Sequence, residues 1–94
     1  MSWRGQLSQI VRELRIHFCQ TSSSSDATRE FILKNYKDLK TLNPGLPILI
    51  RECSGIQPRL WARYAYGVER SVPLEGLTEP QITAKLEELS KYAS

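Results

Sequence analysis

Along residues 11 to 19 apolar and polar side chains alternate. Leu14, Ile16 and Phe18 fall on one side; Glu13, Arg15, His17 and Cys19 fall on the other. A period of two, built from branched and aromatic residues, predicts a strand with one buried face. The polar run "TSSSSD" follows and ends on helix-cap chemistry at Ser25 or Asp26. Phe31, Ile32, Tyr36, Leu39 and Leu42 then make a helical stripe, which Asn43-Pro44-Gly45 stops. From Leu46 to Cys53 the alternation returns. Leu46, Ile48 and Ile50 share one face, while Leu49, Arg51 and Cys53 share the other. Strand, helix, strand within about 40 residues is a βαβ unit, with a right-handed crossover and parallel strands.

After the short turn "SGIQ", Pro58 opens a third strand, "RLWARYAY", and Gly67 turns the chain into a fourth, "VERSVPL". So short a link predicts an antiparallel hairpin, and Pro73 suits an edge strand because its missing N–H need not enter a ladder. Thr78 with Gln81 forms a capping box, and Leu77 with Ile82 sits at the positions of a hydrophobic staple. Ile82, Leu86, Leu89 and Ala93 make the buried stripe of that last helix. The expected class is α/β, ordered β-α-β-β-β-α. It forms one domain over residues 11–94, behind an N-terminal extension of residues 1–10.

Composition narrows the function more than the fold. Ninety-four residues support one core. Hydrophobic content of 40% and charged content of 24% are globular values. No apolar run approaches the roughly 18 residues that a membrane span needs. A net charge of +3 permits an acidic partner or RNA without selecting either. His17 is the single histidine, so no histidine cluster exists for a metal, and no phosphate-cradling glycine loop is present. The first twelve residues carry Arg4 and Arg12 and no acid, with Trp3, Leu7, Ile10 and Leu14 at helical spacing. That pattern is faintly that of a mitochondrial import signal.

The element order is the minimal thioredoxin-like core: a mixed four-stranded sheet in the order 2-1-3-4, with both helices on one face. The stretches "LRIHFCQ", "NPGLPILIREC" and "QPRLWARYAYGVE" resemble, from about Leu14 to Leu89, a family of small accessory subunits of mitochondrial NADH:ubiquinone oxidoreductase, respiratory complex I (the one-alpha-subcomplex subunit 2 family). The resemblance implies a non-catalytic subunit without a cofactor on the matrix side of the inner membrane. Its partners would be other subunits of the peripheral arm. Neither nucleic acid, nor membrane insertion, nor self-association is expected. The wider family includes mitochondrial ribosomal proteins, so RNA binding is the rival reading. A thiol-disulfide redox protein is the third.

Two sets of residues carry those readings. In a 2-1-3-4 sheet the first two strands are parallel neighbours, so Cys19 and Cys53 end at the same edge and on the same face. They could be two partly buried thiols, a structural disulfide closing about 35 residues, or a redox pair. Against the last, "CQTS" is not a Cys-x-x-Cys motif with its attacking thiol at a helix N-terminus. Pro58 falls where thioredoxin-like proteins carry a cis-proline. The second set follows from the "SGIQ" link, which is too short for a helix and leaves one sheet face uncovered. That face should show Arg15, His17, Leu49, Arg51, Arg59, Trp61 and Arg63. A tryptophan between Arg59 and Arg63 suits a desolvated contact with an acidic protein surface, or stacking on an RNA base.

Overall fold

The computed structural model describes residues 3–19, 21 and 23–91. Its elements are helix α1 (Trp3–Ile10), strand β1 (Glu13–Phe18), helix α2 (Asp26–Leu42), β2 (Ile48–Glu52), β3 (Arg59–Arg63), β4 (Glu69–Pro73) and helix α3 (Glu79–Ser90). Short 3-10 turns lie at Ser23–Ser25 and Ala65–Gly67. The sheet runs β2-β1-β3-β4, parallel between β1 and β2 and antiparallel elsewhere. Strand order and pairing follow the alternation in the sequence, and Pro73 ends an edge strand as expected.

The principal correction is at the N-terminus. Residues 3–10 form a third helix where two were expected, and the order becomes α-β-α-β-β-β-α. Leu7 and Val11 are fully buried in the same cluster as Leu14, Phe31, Leu39, Leu60, Ile82 and Leu86. Asn43, 1% exposed, clamps α1 to the end of α2. Its Oδ1 accepts from the Ser8 N–H (3.0 Å), while its Nδ2 donates to the carbonyls of Arg4 (2.7 Å) and Leu39 (3.0 Å). Buried amide groups need such partners, so the residue that stops α2 also docks α1. All three helices contribute to one core and lie on one side of the sheet.

The two later helices begin by different devices. At α3 the capping box is formed: the Thr78 N–H donates to Gln81 Oε1 (2.9 Å) and the Gln81 N–H to Thr78 Oγ1 (3.4 Å). Ala93, assigned to its stripe, lies outside the described residues. At α2, Ser25 stands at the cap, but its hydroxyl accepts from the Cys19 N–H (2.9 Å) and not from the helix. The buried face of α2 is Thr28, Phe31 and Leu39. Tyr36 (36%) and Leu42 (48%) from the expected stripe are exposed.

Two further expectations change for geometric reasons. Ile50 shares the helix-side face with Ile48, yet it is 37% exposed, because β2 is an edge strand and the helices do not cover its far end. The Gln57–Pro58 bond is trans, not cis. Trans is the default for prolyl bonds, and here Pro58 is buried with its carbonyl accepting from the Leu74 N–H (3.0 Å). If α1 belongs to the core, Leu7→Ala should destabilise the domain by about 2–4 kcal/mol in denaturant unfolding. A change within about 0.5 kcal/mol would return α1 to the status of a dispensable extension.

Candidate functional site

On the sheet face opposite the helices, registration sets the neighbours. Trp61 stands between Arg15 on β1 and Ser71 on β4, and His17 stands between Arg51 on β2 and Arg59 on β3. Glu13, Arg63 and Glu69 form the next row. The seven residues predicted for this face do sit on it. Arg51 and Arg63 are exposed; Arg15, His17, Leu49, Arg59 and Trp61 are half-buried.

The charges divide the face into two ends. At one end Arg15 is ion-paired with Glu69 and lies 3.8 Å from Glu13. Arg63 Nε lies 3.8 Å from both carboxylates. Two arginines against two glutamates leave this end near neutral. At the other end Arg51 and Arg59 make no ion pair with any described residue, and Arg59 donates to Ser71 Oγ (2.7 Å). His17 lies between them. Its pKa falls below the ordinary 6.5 through desolvation, then through the Arg15 and Arg51 charges, which favours the neutral imidazole.

Trp61 occupies the boundary. Arg15 and Arg59 place their guanidinium carbons 5.6 and 5.9 Å from the ring, and His17 tilts against it at 6.2 Å. The expected neighbour Arg63 is instead drawn to Glu13 and Glu69. The indole Nε1 is buried and has no hydrogen-bond partner among the described residues. The part of the ring that reaches solvent is therefore carbon. Cations stacked beside a half-exposed ring hold it in place, and the surface it presents suits apolar burial.

Cys19 and Cys53 lie at the same end of the sheet, beyond the last residues of β1 and β2. The Cys53 N–H donates to the Phe18 carbonyl (3.1 Å), and Cys19 and Cys53 both line a cavity of about 340 Å³ with Thr21, Glu52 and Ser54. They are thiols here and not a disulfide. Cys19 is 4% exposed and Cys53 is open to solvent. The Cys19 backbone is pinned on both sides, its N–H by Ser25 and its carbonyl by Arg29 Nη1 (2.6 Å). Cys19 lies seven residues before the first residue of α2 and Cys53 follows β2, so neither occupies the first turn of a helix as the attacking thiol of a Cys-x-x-Cys motif does.

Sequence reasoning missed Glu13, Glu69 and Ser71. Alternation had already put Glu13 beside Arg15. Glu69 and Ser71 needed the hairpin register. Among the described residues no cluster of histidine, cysteine, aspartate or glutamate could hold a metal ion.

The chain has known relatives in sequence. Residues 28–79 match the family model described as the mitochondrial ribosomal protein L51 / S25 / CI-B8 domain. An Arabidopsis thaliana protein named NADH dehydrogenase [ubiquinone] 1 alpha subcomplex subunit 2 is 65% identical over 91 residues, covering 97% of this chain and 94% of its own. The chain belongs to the alpha subcomplex subunit 2 family. Its Mus musculus member of the same name is 49% identical over 82% of this chain and 78% of its own length. The NADH-ubiquinone oxidoreductase 10.5 kDa subunit of Neurospora crassa is 45% identical over the full length of both. For this member of the family, exposure predicts that a maleimide labels Cys53 rapidly and Cys19 only at the rate of local opening, as read by mass spectrometry of the native domain. Equal rates would mean that Cys19 is not buried.

Proposed function

We propose that this protein is a non-catalytic accessory subunit of mitochondrial NADH:ubiquinone oxidoreductase, complex I. In this reading it is a thioredoxin-like domain on the matrix side of the inner membrane. It docks on the peripheral arm for assembly or stability, without a cofactor, without inserting in the bilayer and without pairing with its own copy. The observation that carries the proposal is the match, over 82% to 100% of the chain, to three subunits of that enzyme from a plant, a mammal and a fungus. No described helix is long and apolar enough to cross a membrane. Cys19 and Cys53 serve as structural thiols in this account.

The docking surface is the open sheet face. Trp61 supplies the apolar anchor, and Arg51 and Arg59 supply charge for carboxylates on the partner, with Arg15 and Arg63 at the rim. Trp and Arg at the centre of a patch carry most of the binding energy in interfaces of this kind. The charge distribution also weighs against the RNA reading. Glu13 and Glu69 occupy Arg15 and Arg63, and carboxylates in that row would repel a phosphate backbone.

Trp61→Ala tests the assignment. The variant domain should stay folded, because the ring stands outside the core cluster. It should lose on the order of 2 kcal/mol of binding, roughly thirtyfold in affinity. The readout is incorporation into complex I on native gels of mitochondria that lack the endogenous subunit. An unfolded variant would place Trp61 in the core, and normal incorporation would move the interface elsewhere.

A further inference from the structure

The β3–β4 hairpin closes on two consecutive residues with positive φ. Tyr66 has φ 64 and ψ 24, and Gly67 has φ 76. Ala65 and Val68 flank them, with the Val68 N–H donating to the Ala65 carbonyl (3.5 Å) and the Tyr64 N–H to the Val68 carbonyl (2.7 Å). Two consecutive central residues at positive φ are the mark of a type I′ turn, which favours Asn-Gly because both must enter the left-handed region. Gly67 fits without strain. Tyr66 does not: it is the one described non-glycine residue at positive φ, and a bulky aromatic is among the poorer choices there.

Nothing within the fold accounts for the ring. Tyr66 is 98% exposed, so its side chain makes almost no contact with its own domain. The turn would close with less strain, and with no lost packing, on asparagine. A strained backbone presenting a fully solvated aromatic is the combination expected of an interface anchor.

We infer that Tyr66 is a second anchor of the subunit, a knob at the hairpin tip that inserts into an apolar-walled pocket on the same partner that covers Trp61. The inference rests on the complex I reading above and extends it. Register gives the continuity. Trp61, Arg63 and Tyr66 follow one another along β3 and its tip, and the Glu13–Arg15–Arg63–Glu69 ion cluster lies between the two aromatics. A near-neutral row of paired charges between two apolar knobs suits a protein surface. The tip lies at the end of the sheet away from Cys19 and Cys53, so neither thiol takes part.

The test uses variants that separate folding from docking. Tyr66→Asn keeps the left-handed turn and removes the ring, and Tyr66→Phe keeps the ring. Each is produced as the full chain, melted in isolation, and made to compete with tagged wild type for incorporation into complex I. The Asn variant should melt a few degrees higher than wild type and incorporate at least about tenfold less well. The Phe variant should incorporate at no less than half the wild-type level. Incorporation of the Asn variant equal to wild type would overturn the inference while leaving the complex I assignment standing. Equal loss with Phe would overturn the apolar pocket. Self-association of the isolated domain that depends on Tyr66 would make a second copy the occupant and so contradict the inference. Failure of wild type itself to incorporate would remove the underlying reading, and this one with it.

Discussion

The connection from β2 to β3 constrains everything else in this molecule. β2 and β3 flank β1 on either side, and β2 ends at the same edge of the sheet where β3 begins. Residues 53–58 therefore have only to cross the end of β1, a span of about two strand spacings, or roughly 10 Å. A helix would not fit in that link. The crossover from β1 to β2 carries α2 on one face, and α1 and α3 join it there because the remaining apolar side chains, Leu60, Ala62 and Tyr64 among them, point the same way. Tyr64 ties that layer together, its hydroxyl donating to the Leu89 carbonyl (2.7 Å). The link also passes over the end of β1, which is why the Cys53 N–H reaches the Phe18 carbonyl and both cysteines line one cavity.

The same constraint leaves the opposite face bare, and the chain furnishes it with ion pairs instead of a second helical layer. Ion pairs on an exposed sheet contribute little to stability, typically 0–1 kcal/mol each. Their value here is geometric: they hold long side chains flat in defined positions around Trp61. In the proposed docking, burying the ring would then cost little ordering entropy. Arg51 and Arg59 make no ion pair with a carboxylate among the described residues, which gives the face a polarity.

Much of this was legible in the sequence. Alternation in "ELRIHF" and "RLWAR", the capping box of α3 and the hairpin signal at Gly67 each report a local rule, and local rules survive folding. What escaped was long-range. Trp3, Leu7 and Ile10 have helical spacing, but nothing local says that a short N-terminal helix will be docked. The deciding contact is Asn43, 39 residues from Arg4 in sequence, and a turn asparagine looks the same whether or not it clamps another helix. The exposure of Ile50 depends on how far α2 reaches across an edge strand. The face looked more basic in sequence than it is, because Glu69 joins it only through the hairpin register. Pro58 was assigned a cis bond by position, and position does not set the isomer.

Hydroxyl-radical footprinting, read residue by residue by mass spectrometry, tests the central claim most directly: the uncovered sheet face is the docking surface. Oxidation of Trp61 and of Leu33, which is 86% exposed on α2, is compared between the isolated domain and assembled complex I. The account predicts strong protection of Trp61 on assembly with Leu33 unchanged. Protection of Leu33 with Trp61 as reactive as in the free domain would contradict it.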